Sequence, residues 1–166
     1  MLWSKFKALS ATLMLLSLEA CGFQPLYSPQ LQTTQDMSNV KVAIIHDRQG
    51  QVLRNHLLDL LNPYGAPCKS IYTLSTKLTT SAREVGIRRD ATTSRKELIA
   101  TAVITLQDKS GKILLRKSIT SKNSYSTLET NYYTNVVTED YAKEEALRDL
   151  AYRIQLALAE FFAKDK

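Results

Sequence analysis

Three sets of side chains in this sequence have the types and spacing for chemistry: a cysteine at position 21, two histidines, and cations in the middle of the chain. Cys21 follows Leu18-Glu19-Ala20, behind Lys5, Lys7 and an apolar run over residues 8–18. A thiol placed so is an acceptor for diacylglycerol, with cleavage just ahead of it and N-acylation of the new terminus. The apolar run has the length of a secretory signal core and falls short of the ~20 residues of a spanning helix. Ala20 supplies the small side chain that a cleavage pocket requires, while Glu19 departs from the uncharged residues usual there. Several acyl chains anchor strongly, where one alone binds only marginally. The sequence therefore divides into a signal peptide over 1–20, a lipidated tether over 21–39 and one domain over 40–166. No cofactor is expected beyond the lipid on Cys21.

The cations are the second set. Arg88, Arg89 and Arg95 fall in one basic stretch and Lys109, Lys112, Arg116, Lys117 and Lys122 in the next, which holds no acid. The last stretch of chain, from Glu139, is acidic on balance. The full chain carries +6. Removing residues 1–20 takes away Lys5, Lys7 and Glu19, so the mature charge is +5. An anionic partner is favoured, and arginine suits phosphate because its planar fork binds two oxygens at once. Arg88, Arg89 and Lys122, with Arg95 nearby, are expected to form one cationic patch at a tip of the fold. Nucleic acid is not the expected partner: recognition motifs are missing, and a lipoprotein signal carries the chain out of the cytoplasm.

The histidines give no enzyme. His56 falls on the apolar side of a helical pattern, where a core histidine is the ordinary explanation. His46-Asp47 resembles a base with its orienter, but neighbouring residues of an extended segment point in different directions. No Cys/His pair has metal-ligand spacing, and none of the five glycines forms a phosphate loop. With Cys21 acylated, Cys68 has no intrachain disulfide partner, and it is expected to be a buried small hydrophobe.

The elements that must position these residues follow from periodicity. Residues 40–45 read as a buried strand, followed by a turn at 47–50. Val52, Leu53, Leu57, Leu60 and Leu61 recur at helical spacing up to Pro63. Residues 70–87 alternate through Tyr72, Leu74, Thr76 and Leu78. Residues 96–107 alternate through Leu98, Ala100, Ala102, Ile104 and Leu106. Asp108-Lys109-Ser110-Gly111 is a hairpin signal, and Ile113, Leu115 and Ile119 share one face of the returning strand. Residues 126–137, with Tyr132 and Tyr133, read as a polar loop. Thr138 reads as the N-cap of a long amphipathic helix through Leu147, Leu150, Ile154 and Leu158. The expected fold is α/β (α+β): a two-layer sandwich with a mixed sheet of about four strands and two helices on one face. The expected order is β-α-β-β-β-α, which leaves the other sheet face open.

Cys21-Gly22-Phe23-Gln24-Pro25-Leu26-Tyr27 resembles the mature start of the LptE family of lipopolysaccharide-assembly lipoproteins, in its alphaproteobacterial form. The order of elements agrees over nearly the whole mature chain. The resemblance implies a lipid-anchored protein at the inner leaflet of the outer membrane. It implies a non-enzymatic plug in the lumen of an LptD-like β-barrel, in contact with lipopolysaccharide. It implies a basic residue in the hairpin between the long strands, which falls at Arg88 or Arg89, Arg89 being the closer match. Family members also carry a basic residue just ahead of the last helix; Thr134-Asn135-Val136-Val137 has none, and Lys122 is the available substitute. The plug surface is expected on the open sheet face and around Tyr132 and Tyr133. The competing reading is an anchored accessory lipoprotein of another envelope transport complex.

Overall fold

A computed structural model describes residues 32–65, 67, 70–87, 93–128 and 132–164. Strict alternation builds its sheet. In the central strand β3 (Thr93–Asp108), Leu98, Ala100, Ala102, Ile104 and Leu106 are buried, and the residues between them are partly open. β2 (Tyr72–Ile87) and β4 (Ile113–Leu128) flank it, both antiparallel. β1 (Val40–Val42) runs parallel to the start of β2, Val40 opposite Tyr72 and Val42 opposite Leu74. The strand order is therefore β1-β2-β3-β4. A mixed sheet of this kind was expected from the strand–helix–strand start and the short later links.

Three helices accompany the sheet: α1 (Gln32–Ser38), α2 (Arg48–Leu61) and α3 (Tyr132–Lys164). α3 packs on β3, β4 and α2, while α2 also packs on β1, and α1 on α3. Polar pins show that both long helices cover the same face. Thr80 of β2 donates to Gln49 of α2 at 2.6 Å, and Ser121 of β4 donates to Asp149 of α3 at 2.6 Å. Gln155, fully buried, donates to the Leu60 carbonyl at 3.2 Å and ties α3 to α2. Ala100 and Ala102 in mid-sheet leave room for Leu147, Leu150, Ala151 and Ile154 in a single core. Near its C-terminal end α3 is buried on more sides, at Ala157, Leu158 and Ala159, and Phe162 meets Tyr72 at 5.1 Å between ring centres.

The structure corrects several boundaries. The polar tether includes α1, whose Met37 is buried in the core; one apolar residue gave no period to read. The first strand ends at Val42 rather than residue 45, although Ile45 is still buried. The turn expected at 47–50 is the start of α2, and Gly50 lies inside it. A Cβ there would stand 2.7 Å from Ile45 Cγ2 and 3.1 Å from Ile45 backbone, so only glycine lets α2 lie this close. Asp47 ahead of it has φ 70 and ψ 160, a conformation that costs a non-glycine residue about 1–3 kcal/mol. α3 begins six residues before the expected cap. Thr138 is inside it, donating its hydroxyl to the Thr134 carbonyl at 2.7 Å. Ile113 leaves the inward face: the register shifts opposite Leu106 and Gln107, and Ile113 is 52% exposed.

The hairpin at 108–111 holds as expected. Gly111 takes φ 83 and donates its N–H to the Asp108 carbonyl at 3.1 Å. Asp108 Oδ1 accepts from the Ser110 hydroxyl and from the backbone N–H groups of Ser110 and Lys112. The Ser110 hydrogen bond chiefly holds the Asp108 carboxyl below its ordinary value.

Asp149 carries a pH signature. Burial pushes its carboxyl up, but hydrogen bonds from Ser121 and from Arg153 at 2.7 Å outweigh burial and leave it below the ordinary 3.8. A depressed carboxyl stabilises the fold fully above its unfolded value and loses that contribution as pH falls through the folded one. Asp149→Asn is expected to lower the melting temperature by about 2 °C at neutral pH, the group being half-exposed. The gap should close on acidification below 3.8. Melting curves of both proteins from neutral pH to about pH 3 check this; a gap constant in pH would refute it.

Candidate anion-binding surface

The sheet face turned away from the helices is the charged one. Side chains alternate between faces, and the register puts Lys41, Lys77, Arg83, Arg95, Arg116 and Lys122 together on this side, all exposed. Between them stand hydroxyls, including the cross-strand row of Thr79, Thr101 and Thr120, with Thr101 and Thr120 Oγ1 atoms 3.1 Å apart. The acid that the strand register places here is Glu97, which Arg83 engages at 2.6 Å. Among the described residues Lys41, Lys77, Arg95, Arg116 and Lys122 make no ion pair.

The helix layer has the opposite character. Glu139, Asp140, Glu144, Glu145, Asp149 and Glu160 all sit on α3, and its own cations take them up. Lys143 pairs with Glu139 and Asp140, Arg148 with Glu145, Arg153 with Asp149 and Lys164 with Glu160. The Lys143 ammonium is held above its ordinary value chiefly by the Glu139 hydrogen bond. Lys164 and then Lys117 hold the Glu160 carboxyl down. The acids of α3 are thus paired, while the cations of the sheet face stand mostly without acids beside them.

The expected single patch at the tip is drawn differently. Arg88 and Arg89 lie outside the described residues, as do Cys21 and Cys68. Arg95 is at the tip end of the sheet, opposite Gly86 and Ser126. Lys122 lies opposite Ile99, and Ile99 opposite Ser81, six positions short of Ile87. That is about 20 Å from the strand end. Arg95 and Lys122 therefore share a face but stand about 13 Å apart along it. Among the described residues the cations are spread along the face rather than gathered at its end.

A second exposed feature begins at the tip. Tyr132, Tyr133, Val136, Val137 and Tyr141 are all exposed on the first turns of α3, with Tyr132 at 85% and Tyr133 at 78%. Tyr133, Val137 and Tyr141 follow steps of four and form one stripe. Tyr125, just beneath on β4, is buried, and burial followed by the Glu139 carboxylate raises its hydroxyl. The sequence points to Tyr132 and Tyr133 but not to Tyr141, because a loop over 126–137 and a helix from Thr138 put Tyr133 and Tyr141 in different elements and hide their common spacing.

Elsewhere the site chemistry is sparse. His46 and Asp47 are both exposed, and no described hydrogen bond joins them. His56 lines a groove of about 500 Å³ between α2 and α3 with Asp59, Glu145, Arg148, Asp149 and Tyr152. Among the described residues no group of His, Cys, Asp and Glu has metal-binding geometry. Among them, too, no helix is long and apolar enough to cross a membrane.

The family model LptE, "Lipopolysaccharide-assembly", matches residues 37–158, most of the chain. The chain belongs to the LptE family. That membership supports a role in lipopolysaccharide assembly and places the chain among accessory lipoproteins rather than in an enzyme family. Solved structures share the LptE-like fold. A lipoprotein from Caulobacter crescentus superposes with TM-score 0.65 at 23% identity, over 82% of this chain and 98% of its own. Its source is consistent with the alphaproteobacterial form of the family. A minor lipoprotein from Acinetobacter baumannii gives 0.58 at 17% identity, over 73% and 91%. Lipoprotein B from Nitrosomonas europaea gives 0.60 at 13%, over 86% and 94%. No curated protein matches the chain.

Proposed function

We propose that this LptE-family chain is lipidated on Cys21 and held at the inner leaflet of the outer membrane. There it occupies the lumen of an LptD-like β-barrel and binds lipopolysaccharide during its delivery to the outer leaflet. The family match over residues 37–158 carries this reading. Two features of the fold support it. The cationic sheet face offers unpaired charge to a phosphorylated ligand. The tyrosine stripe on α3 suits a protein wall, since exposed aromatics are enriched where interfaces form.

Co-purification tests the partner. Full-length chain, solubilised from membranes, is expected to bring down one large outer-membrane barrel. Tyr133→Asp with Tyr141→Asp should cut that recovery at least tenfold while the circular dichroism spectrum stays that of wild type, because hot-spot aromatics contribute about 2 kcal/mol or more each. Recovery of an inner-membrane transporter in place of a barrel would instead favour an accessory lipoprotein of another envelope complex.

A further inference from the structure

We propose that the open sheet face is an extended track for a phosphorylated saccharide, with Lys41, Arg116, Lys77, Lys122 and Arg95 as successive contacts from the β1 end to the tip. This deepens the lipopolysaccharide reading above and rests on it. It differs in placing the ligand along the sheet rather than at Arg88 and Arg89 alone.

The argument starts from pairing. Charges on α3 meet opposite charges three or four residues away, and α2 adds only Arg48 and Arg54 against Asp59, so the helix layer attracts an anion less than the sheet face does. The sheet face has Glu97 against its cations, and Arg83 already holds it. An anionic ligand is therefore attracted more strongly to the sheet side of the molecule than to the helix side. Spacing narrows the ligand class. Same-face residues recur every ~6.8 Å along a strand, and neighbouring strands lie ~4.8 Å apart. Lys77 lies in the row of Val103 and Ser118, one row from Arg116, and one strand, β3, separates the two cations. They stand about 12 Å apart, too far for one phosphate to bridge. The lane suits a ligand that carries several anionic groups at intervals of that order. The groups between the cations are suited to sugars: Thr79, Thr101, Thr120, Ser118 and Ser124 present hydroxyls that donate and accept. Large exposed apolar side chains do not interrupt the described rows between Lys77 and Lys122; Ile99 and Val103 are half-buried between their neighbours.

The test uses the full chain in detergent and purified lipopolysaccharide with a phosphorylated core. Lys77→Glu, Arg116→Glu and Lys122→Glu are combined, and Arg48→Glu, Arg153→Glu and Lys164→Glu provide a helix-side variant of the same net charge. The sheet-face variant is expected to bind about tenfold more weakly or worse, about 1.4 kcal/mol, with a shallower salt dependence. The helix-side variant should bind as wild type does. Inorganic phosphate at millimolar concentration should not compete. Equal loss in both variants, or an unchanged sheet-face variant, overturns the track. So does competition by millimolar phosphate, or an equal effect of the substitutions on binding to phosphatidylglycerol vesicles, which would make the face a reader of negative charge alone. If Arg88→Asp with Arg89→Asp abolishes binding while the sheet-face variant keeps it, the track falls and the lipopolysaccharide reading stands. A wild-type chain that binds no lipopolysaccharide removes both.

Discussion

Cys21→Ala is expected to abolish lipid attachment and, with it, cleavage ahead of position 21. The thioether needs a sulfur nucleophile, and alanine offers none. The chain should accumulate at its unprocessed mass and fail to incorporate labelled palmitate. The loss is close to all-or-none, since each buried methylene of an acyl chain contributes about 0.8 kcal/mol to membrane binding. Intact-mass spectrometry of wild type and variant decides the matter. A variant processed at the same site would show that residues 1–20 are an ordinary secretory signal and that Cys21 is not the anchor.

The second large effect concerns the fold. Leu150 is fully buried at the middle of α3, within the core that joins the helix to the sheet. Leu150→Ala is expected to destabilise the domain by about 2–5 kcal/mol, the cost of lost transfer energy and of the cavity left behind. Typical domains have only about 5–15 kcal/mol in total, so the urea midpoint should fall steeply with an unchanged slope. Leu156→Ala, on the same helix but 42% exposed, should cost under about 0.5 kcal/mol. A Leu150 variant that unfolds at the wild-type urea concentration would contradict the packing described here.

The two contrasting leucines show which parts of the fold were legible. Strict alternation from Leu98 to Leu106 and the three-four spacing from Leu147 to Leu158 each have a face to bury, so period and burial agree. Asp108 to Gly111 is read just as directly, because its carboxylate and its positive φ are properties of those residues themselves. The start of α3 was not legible for the converse reason. Tyr132 to Val137 bury little, and Thr134, Asn135, Val136 and Val137 are weak helix formers. The helix persists there as a continuation of a buried rod. Thr138 misled for a related reason: a hydroxyl that caps a helix end also bonds back to a carbonyl within one. Gln32 to Ser38 carry one apolar residue, the buried Met37, and so show no pattern.

The candidate site was legible as charge and not as shape. Blocks of cations are visible in the sequence, but which side they face depends on register. Lys117 and Lys122 lie in the same run, yet Lys117 pairs with Glu160 on the helix side while Lys122 faces away. A one-residue shift exchanges those roles, and the bulges between Glu84 and Gly86 and opposite Leu106 and Gln107 show that register is not uniform along these strands.

The long strands also make the sheet a ruler. Each of the three runs for 16 residues, about 50 Å at the rise of an extended chain. The short helix α1 and β1 lie at one end, and Arg95 and Tyr132 at the other. The hydrocarbon core of a bilayer is about 30 Å thick. A chain tethered to one leaflet by its N-terminal end therefore has the reach to stand upright through that thickness and present its far end at the level of the opposite leaflet, with no segment of its own exposed to lipid tails if a channel encloses it.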